Sequence, residues 1–159
     1  MLGAVALLAS LPMMAAADFP AQLSAVDQAA AFSIAGFVRI QGQWRKCDDP
    51  GTAGYSPGKI AWVGDINGDG LPEVIITEGS AFCHGSAGEG TTLVSKQATG
   101  PWKVLFDGTG VVSVLTSSGA HGYRDLEVGG PGFCFPVLRW NGAAYAVNRH
   151  EYEGKRCRP

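Results

Sequence analysis

Hydrophobic and polar positions follow three successive patterns along this chain. Residues 2–14 are almost wholly apolar, and the first seventeen residues contain no acid or base. Apolar residues then recur at helical spacing over 20–35, at Leu23, Val26, Ala30, Ala31 and Ile34. Ser24 or Pro20 is placed to start that helix and Gly36 to end it. Beyond Gly36 the pattern shortens to β-runs at 37–40, 43–45, 59–63, 73–77, 91–96, 102–106, 111–115, 125–128, 135–140 and 143–147. Each run is bounded by Gly, Pro, Asn or Asp, as regularly spaced antiparallel strands should be. A Pro/Gly-rich connection occupies 48–58, and Trp140-Asn141-Gly142 predicts a hairpin, since Asn-Gly suits the positive φ angles of a type I′ turn. The fold class that follows is α+β: an N-terminal helix, then a mainly antiparallel β-sheet domain of short strands and hairpins.

The apolar opening ends in Ala15-Ala16-Ala17, a small-residue cleavage pattern before Asp18. Residues 1–17 therefore read as a secretory signal peptide and 18–159 as one domain. The apolar run falls short of the ~20 residues a membrane-crossing helix requires, so no span is expected after cleavage. A mature chain of about 140 residues can bury a real core. The formal net charge of −2 and pI near 5.9 leave no electrostatic footprint for nucleic acid or an anionic membrane. Cys47, Cys83, Cys134 and Cys157 all fall in the mature part. An even count in an exported chain reads as two disulfides with three possible pairings, and no two cysteines are close enough to form a zinc-ligand pair. The expected location is secreted or periplasmic.

The chemistry is concentrated at Asp65-Ile66-Asn67-Gly68-Asp69-Gly70-Leu71-Pro72-Glu73. Oxygen-bearing side chains stand at the first, third, fifth and ninth positions, with Gly70 at the sixth. Calcium takes about six to eight oxygen ligands at roughly 2.3–2.6 Å, and one tight loop can supply most of them. Alternation lets the Asp65, Asn67 and Asp69 side chains converge, Gly70 allows the turn, and the Leu71 carbonyl and Glu73 complete the set. An EF-hand would need a bidentate Glu at its twelfth position, where this chain has Ile76. The cofactor expected is Ca2+, in a structural role.

A faint internal repeat lays residues 71–76 over 123–128. In both copies a glycine-containing loop reaches a cysteine, followed by a hairpin carrying a tryptophan, 94–104 and 137–147. Stacked side by side, the copies would put Cys83 and Cys134 in equivalent places. That favours Cys83–Cys134 and leaves Cys47–Cys157 to staple the first strand to the C-terminus.

Residues 63–74, Val-Gly-Asp-Ile-Asn-Gly-Asp-Gly-Leu-Pro-Glu-Val, resemble the calcium loop of FG-GAP repeats, the blade motif of integrin alpha-chain propellers. The resemblance implies a strand on either side of the loop and calcium held by Asp65, Asn67, Asp69, the Leu71 carbonyl and Glu73. Glu73 stands where that family more often has Asp. Residues 129–133 and 139–145 look like the less acidic part of such repeats, but the second copy lacks the acidic set. A propeller needs about four or more blades, and this chain has room for about two. The expectation is a small β-domain carrying a single such loop.

Other candidates are weaker. His84, His121 and His150 form no closely paired metal motif. Ser117, Ser118, His121 and Asp125 cluster in one stretch and could serve as nucleophile, base and orienting acid, without a G-x-S-x-G elbow. Glu78, Glu89 and Glu127 could supply an acid–base pair. Trp44, Trp62, Trp102 and Trp140 are expected to pack the sheet, with an exposed subset as an alternative platform for sugar or peptide. The function expected is an exported, calcium-binding, disulfide-stabilised binding module, not an enzyme, with an envelope protein or cell-wall glycan as partner. The alternatives are a small hydrolase using the 117–125 loop and an envelope inhibitor or immunity-type protein.

Overall fold

Residues 23–159 are described by the structure, a computed structural model; the expected signal peptide, 1–17, lies outside them. Helix α1 (Ala25–Ile34) is capped by Ser24, whose hydroxyl accepts from the Asp27 backbone N–H at 3.1 Å. It stops before Gly36, which takes φ +87°. The chain then forms β1 (Val38–Ile40), β2 (Gln43–Arg45), β3 (Ser56–Gly64) and β4 (Glu73–Gly79). A short helix, α2 (Ala81–His84), leads on to β5 (Glu89–Ser95) and β6 (Lys103–Thr109). These six strands form one sheet in chain order, antiparallel throughout.

Gly110 alone separates β6 from β7 (Val111–Ser118). A Cβ there would lie 2.5 Å from the Gly129 carbonyl oxygen, at φ +122°, so the crossing requires glycine. Strands β7, β8 (Arg124–Gly129), β9 (Phe135–Trp140), β10 (Tyr145–Tyr152) and β11 (Lys155–Arg156) make a second antiparallel sheet, again in chain order.

Among the described residues, eleven strands in two sheets, against two short helices, make this a mainly antiparallel β fold and correct the α+β expectation. The reason is one of area. A ten-residue helix is about 15 Å long. Six strands spaced about 4.8 Å apart form a sheet too wide for it to cover. Helix α1 shields part of one face, where Phe32, Ala31 and Phe37 pack on Val74, Ile76 and Val94. The second sheet covers the other face, where Leu126, Leu138 and Trp140 meet Ile66, Ile75, Leu93 and Leu105. Strand β4 lies between these layers, so its side chains are buried on both faces. Burying each Val or Ile is worth roughly 1.5–3 kcal/mol, which makes β4 the hub of the core.

The disulfides are Cys47–Cys83 and Cys134–Cys157, with Cα–Cα distances of 6.2 and 5.6 Å. The pairing Cys83–Cys134 with Cys47–Cys157 is therefore corrected. The two repeat copies fall in different sheets, so each bond ties a sheet to its own connections. The repeat hairpins themselves are real, with Val94 opposite Val104 and Leu138 opposite Val147. At the Asn-Gly turn, Asn141 Oδ1 accepts from the Ala143 and Ala144 N–H groups at 2.9 and 3.0 Å. Asn141 keeps a negative φ, so this is a longer Asx-type connection and not a type I′ turn. The tryptophans pack: Trp102 and Trp140 are buried, and Trp44 stacks on Phe32 at 4.7 Å.

Candidate functional site

The 65–73 loop connects β3 to β4 where Gly64 pairs with Glu73. Its acidic side chains first organise its own backbone. Asp65 accepts from the N–H groups of Asn67, Gly68 and Gly70 at 3.2, 2.6 and 2.9 Å. Asn67 Oδ1 accepts from the Asp69 N–H at 3.0 Å, and Asp69 Oδ1 from the Leu71 N–H at 2.8 Å. Gly68 and Gly70 take φ near +80°, which lets the chain coil around Asp65. Asp65, Asn67 and Asp69 thus share one tight loop.

Glu73 sits differently. It is wholly buried, and its two oxygens accept from the Ile66 N–H at 2.7 Å and the Ser95 hydroxyl at 2.7 Å. Burial pushes its carboxyl up to about 7 against the pull of those two donors, and the Asp69 and Asp65 charges add to the rise. Neither Asp65 nor Asp69 is ion-paired among the described residues. Nor do three His, Cys, Asp or Glu side chains there stand close enough to hold an ion on their own. Any cation would therefore need the Asn67 amide and backbone carbonyls as well. The donor set is all oxygen, which suits a hard cation.

The loop also touches the second sheet. Ile66 is buried in the inter-sheet core, and its carbonyl accepts from the Arg124 N–H at 2.9 Å. Gly122 lies against it, because a Cβ there would come within 2.8 Å of the Asn67 carbonyl oxygen. The sequence placed this loop on a single turn; the fold sets it between the sheets.

Ser117 and Asp125 do meet, the hydroxyl donating to Asp125 Oδ2 at 2.6 Å. Asp125 is wholly buried and also receives Arg139 Nε and Nη2 at 3.0 and 2.8 Å and Arg149 Nη1 at 2.7 Å. Burial alone would raise its carboxyl. The Arg139, Ser117 and Arg149 hydrogen bonds outweigh that and hold it well below the usual carboxylate range. A carboxylate so held has little affinity for a proton. His121 lies on an exposed turn at φ +54°, beside Gly142. The cluster is an arginine-clamped carboxylate on the outer side of the second sheet. Arg139 and Arg149 were not legible as partners, because β8, β9 and β10 meet only through sheet pairing.

Glu78 is buried and accepts from the Lys46 and Cys47 N–H groups at 3.1 and 2.8 Å and from the Tyr55 hydroxyl at 3.1 Å. Asp49, which no motif marked, is buried and caps Gly51 and Thr52 while accepting from Ser80 Oγ at 2.6 Å. Burial opposes its ionisation, but the Ser80 and Thr52 hydrogen bonds hold it well below the usual range. His84 lines a cleft with Lys46 and Asp107, a grouping drawn from three separate stretches of sequence. Comparison of the chain with protein-family models, with curated proteins and with solved structures returns no match.

Proposed function

We propose that this chain is an exported, disulfide-stabilised binding module whose 65–73 loop takes calcium in a structural role. The observation that carries the reading is the loop's position. Two carboxylates without cationic partners among the described residues share a loop whose Ile66 is buried between the sheets and bonded to Arg124. A cation there would neutralise that charge and fasten one sheet to the other. Asp65, Asn67 and Asp69 would hold it through side chains and Leu71 through its carbonyl. Glu73 would assist through the remaining lone pairs of its committed oxygens. When bound, the ion supplies charge and rigidity, as in extracellular calcium modules that bind at about 10⁻⁴–10⁻³ M.

Two disulfides suit an oxidising compartment, and among the described residues no helix is long and apolar enough to cross a membrane. The partner class we favour is an envelope protein or a cell-wall glycan. Calorimetry and thermal melts of the wild type and the Asp65→Ala, Asp69→Ala double variant, with calcium and with chelator, test the metal. At 10 mM calcium an affinity in that range would stabilise the wild type by roughly 1.4–2.7 kcal/mol. Identical responses from the two proteins would overturn the proposal.

A further inference from the structure

Helix α1 packs over Val74, Ile76 and Val94, and beyond it the Lys46–Cys47 segment covers Glu78 on the same sheet face. Register places Glu78, Gly90 and Thr109 in one row across β4–β6 and Thr92 opposite Asp107 in the next. A cleft of about 290 Å³ lies over these residues. Phe37, Lys46 and Cys47 form one part of its wall and His84 another. The two parts are joined covalently, because Cys47 is bonded to Cys83, the neighbour of His84. Glu78 fixes the first part through the Lys46 and Cys47 N–H groups. The cleft is therefore preformed.

Its chemistry narrows the ligand. Lys46 Nζ donates to Asp107 Oδ1 at 2.6 Å and to Thr92 Oγ1 at 3.2 Å, so that ammonium is already paired. Glu78 and Asp107 outweigh Lys46 by one charge, which disfavours phosphates and carboxylates. Two groups remain open among the described residues. Asp107 Oδ2 takes no protein donor, and the Asp107 side chain is 53% exposed. The Thr109 hydroxyl is exposed and takes no protein partner, while the His84 ring packs against Gly90 with its Nε2 buried. The volume is at the low end of ligand sites, about 300–1,000 Å³, which fits one ring and not a chain. A carboxylate acceptor and a hydroxyl, with the His84 ring and Phe37 as walls, match a ring carrying several hydroxyls.

We propose that this cleft, between the Cys47–Cys83 disulfide and β4–β6, binds one hexose or hexosamine unit, free or at the end of a glycan. The proposal rests on reading the chain as a binding module but not on the calcium loop, which lies at the other end of β4. Saturation-transfer NMR titrations with glucose, glucosamine, N-acetylglucosamine and tri-N-acetylchitotriose provide the test. At least one probe should give a saturable signal at millimolar concentration. Preference for the trimer assigns the glycan end, and equal affinity for single sugars assigns the free ring.

Asp107→Asn, at a half-exposed side chain, should fold normally by circular dichroism and weaken binding about tenfold or more, as expected for loss of a charged acceptor. His84→Ala should weaken it too. The Asp65→Ala, Asp69→Ala variant should keep sugar binding in chelator, so that loss of the calcium response alone leaves this proposal standing. A wild type that saturates with none of the four probes, or an Asp107→Asn protein that binds as tightly as wild type, would overturn it.

Discussion

Asp125→Ala should be among the costliest single changes in the second sheet. The wild-type carboxylate is wholly buried and receives two bonds from Arg139, one from Arg149 and one from Ser117. Removing it leaves the Arg149 guanidinium, 11% exposed, with only Glu151 as an acidic partner at 2.6 Å. Breaking a buried charge pair from one side costs about 3–5 kcal/mol. Because Arg149 keeps Glu151 and Arg139 can turn to water, the lower end, about 3 kcal/mol, is expected. The pH dependence follows from linkage. The folded carboxyl lies well below its ordinary value of 3.8, so its stabilisation is fully present above that value and is lost as pH falls toward the folded one. At pH 3 most unfolded chains are protonated at this residue while the folded state is not, which removes about 1.2 kcal/mol. Urea unfolding of both proteins at pH 7 and pH 3 should therefore show a gap of about 3 kcal/mol that shrinks by roughly 1 kcal/mol. A gap below 1 kcal/mol at pH 7, or one that does not narrow at pH 3, would refute the reasoning.

Three further outcomes are expected. Closing loops with sequence separations of 36 and 23 residues restricts the unfolded chain, so removing Cys47–Cys83 or Cys134–Cys157 as Ser pairs should cost ~3.8 and ~3.4 kcal/mol. Non-reducing peptide mapping should join Cys47 to Cys83, and a Cys83–Cys134 peptide would contradict the fold. Gly122→Ala should destabilise by more than about 1 kcal/mol, since it combines φ +78° with a 2.8 Å approach to the Asn67 carbonyl oxygen. Gly51→Ala, at φ +100° with nothing within 4 Å, carries only the conformational part. Equal losses in the two variants, read by urea unfolding, would mean that the 122 turn does not press on the acidic loop.

Local chemistry was legible wherever it was carried by neighbours in sequence. The ten expected β-runs all fall on strands, and the run at 135–140 matches β9 from end to end. Ser24 caps α1, and the alternating Asp65, Asn67 and Asp69 do organise one turn. Strand ends were less clear. β10 continues to Tyr152 through a bulge after Val147, because cross-strand pairing with Phe135 and Pro136 extends it where the apolar pattern stops. Glu73 reads as a ligand by spacing, yet its first partners are Ile66 and Ser95, and Ser95 comes within reach only when β5 pairs with β4.

The amino-acid sequence by itself determined the strand run, the opening helix, the acidic loop and the presence of two disulfides. Those depend on backbone preferences, side-chain period and cysteine count, all of which act over a few residues or need no partner. Tertiary structure alone decided that the strands divide into two sheets, that each disulfide stays within its own sheet, and that Arg139 and Arg149 clamp Asp125. It alone assembled Lys46, His84 and Asp107 around one cleft. A strand's pattern says which side chains seek burial and not which surface will bury them. That choice is made by the area left uncovered when a short helix meets a wide sheet, and the acidic loop lies where the second sheet comes in to cover it.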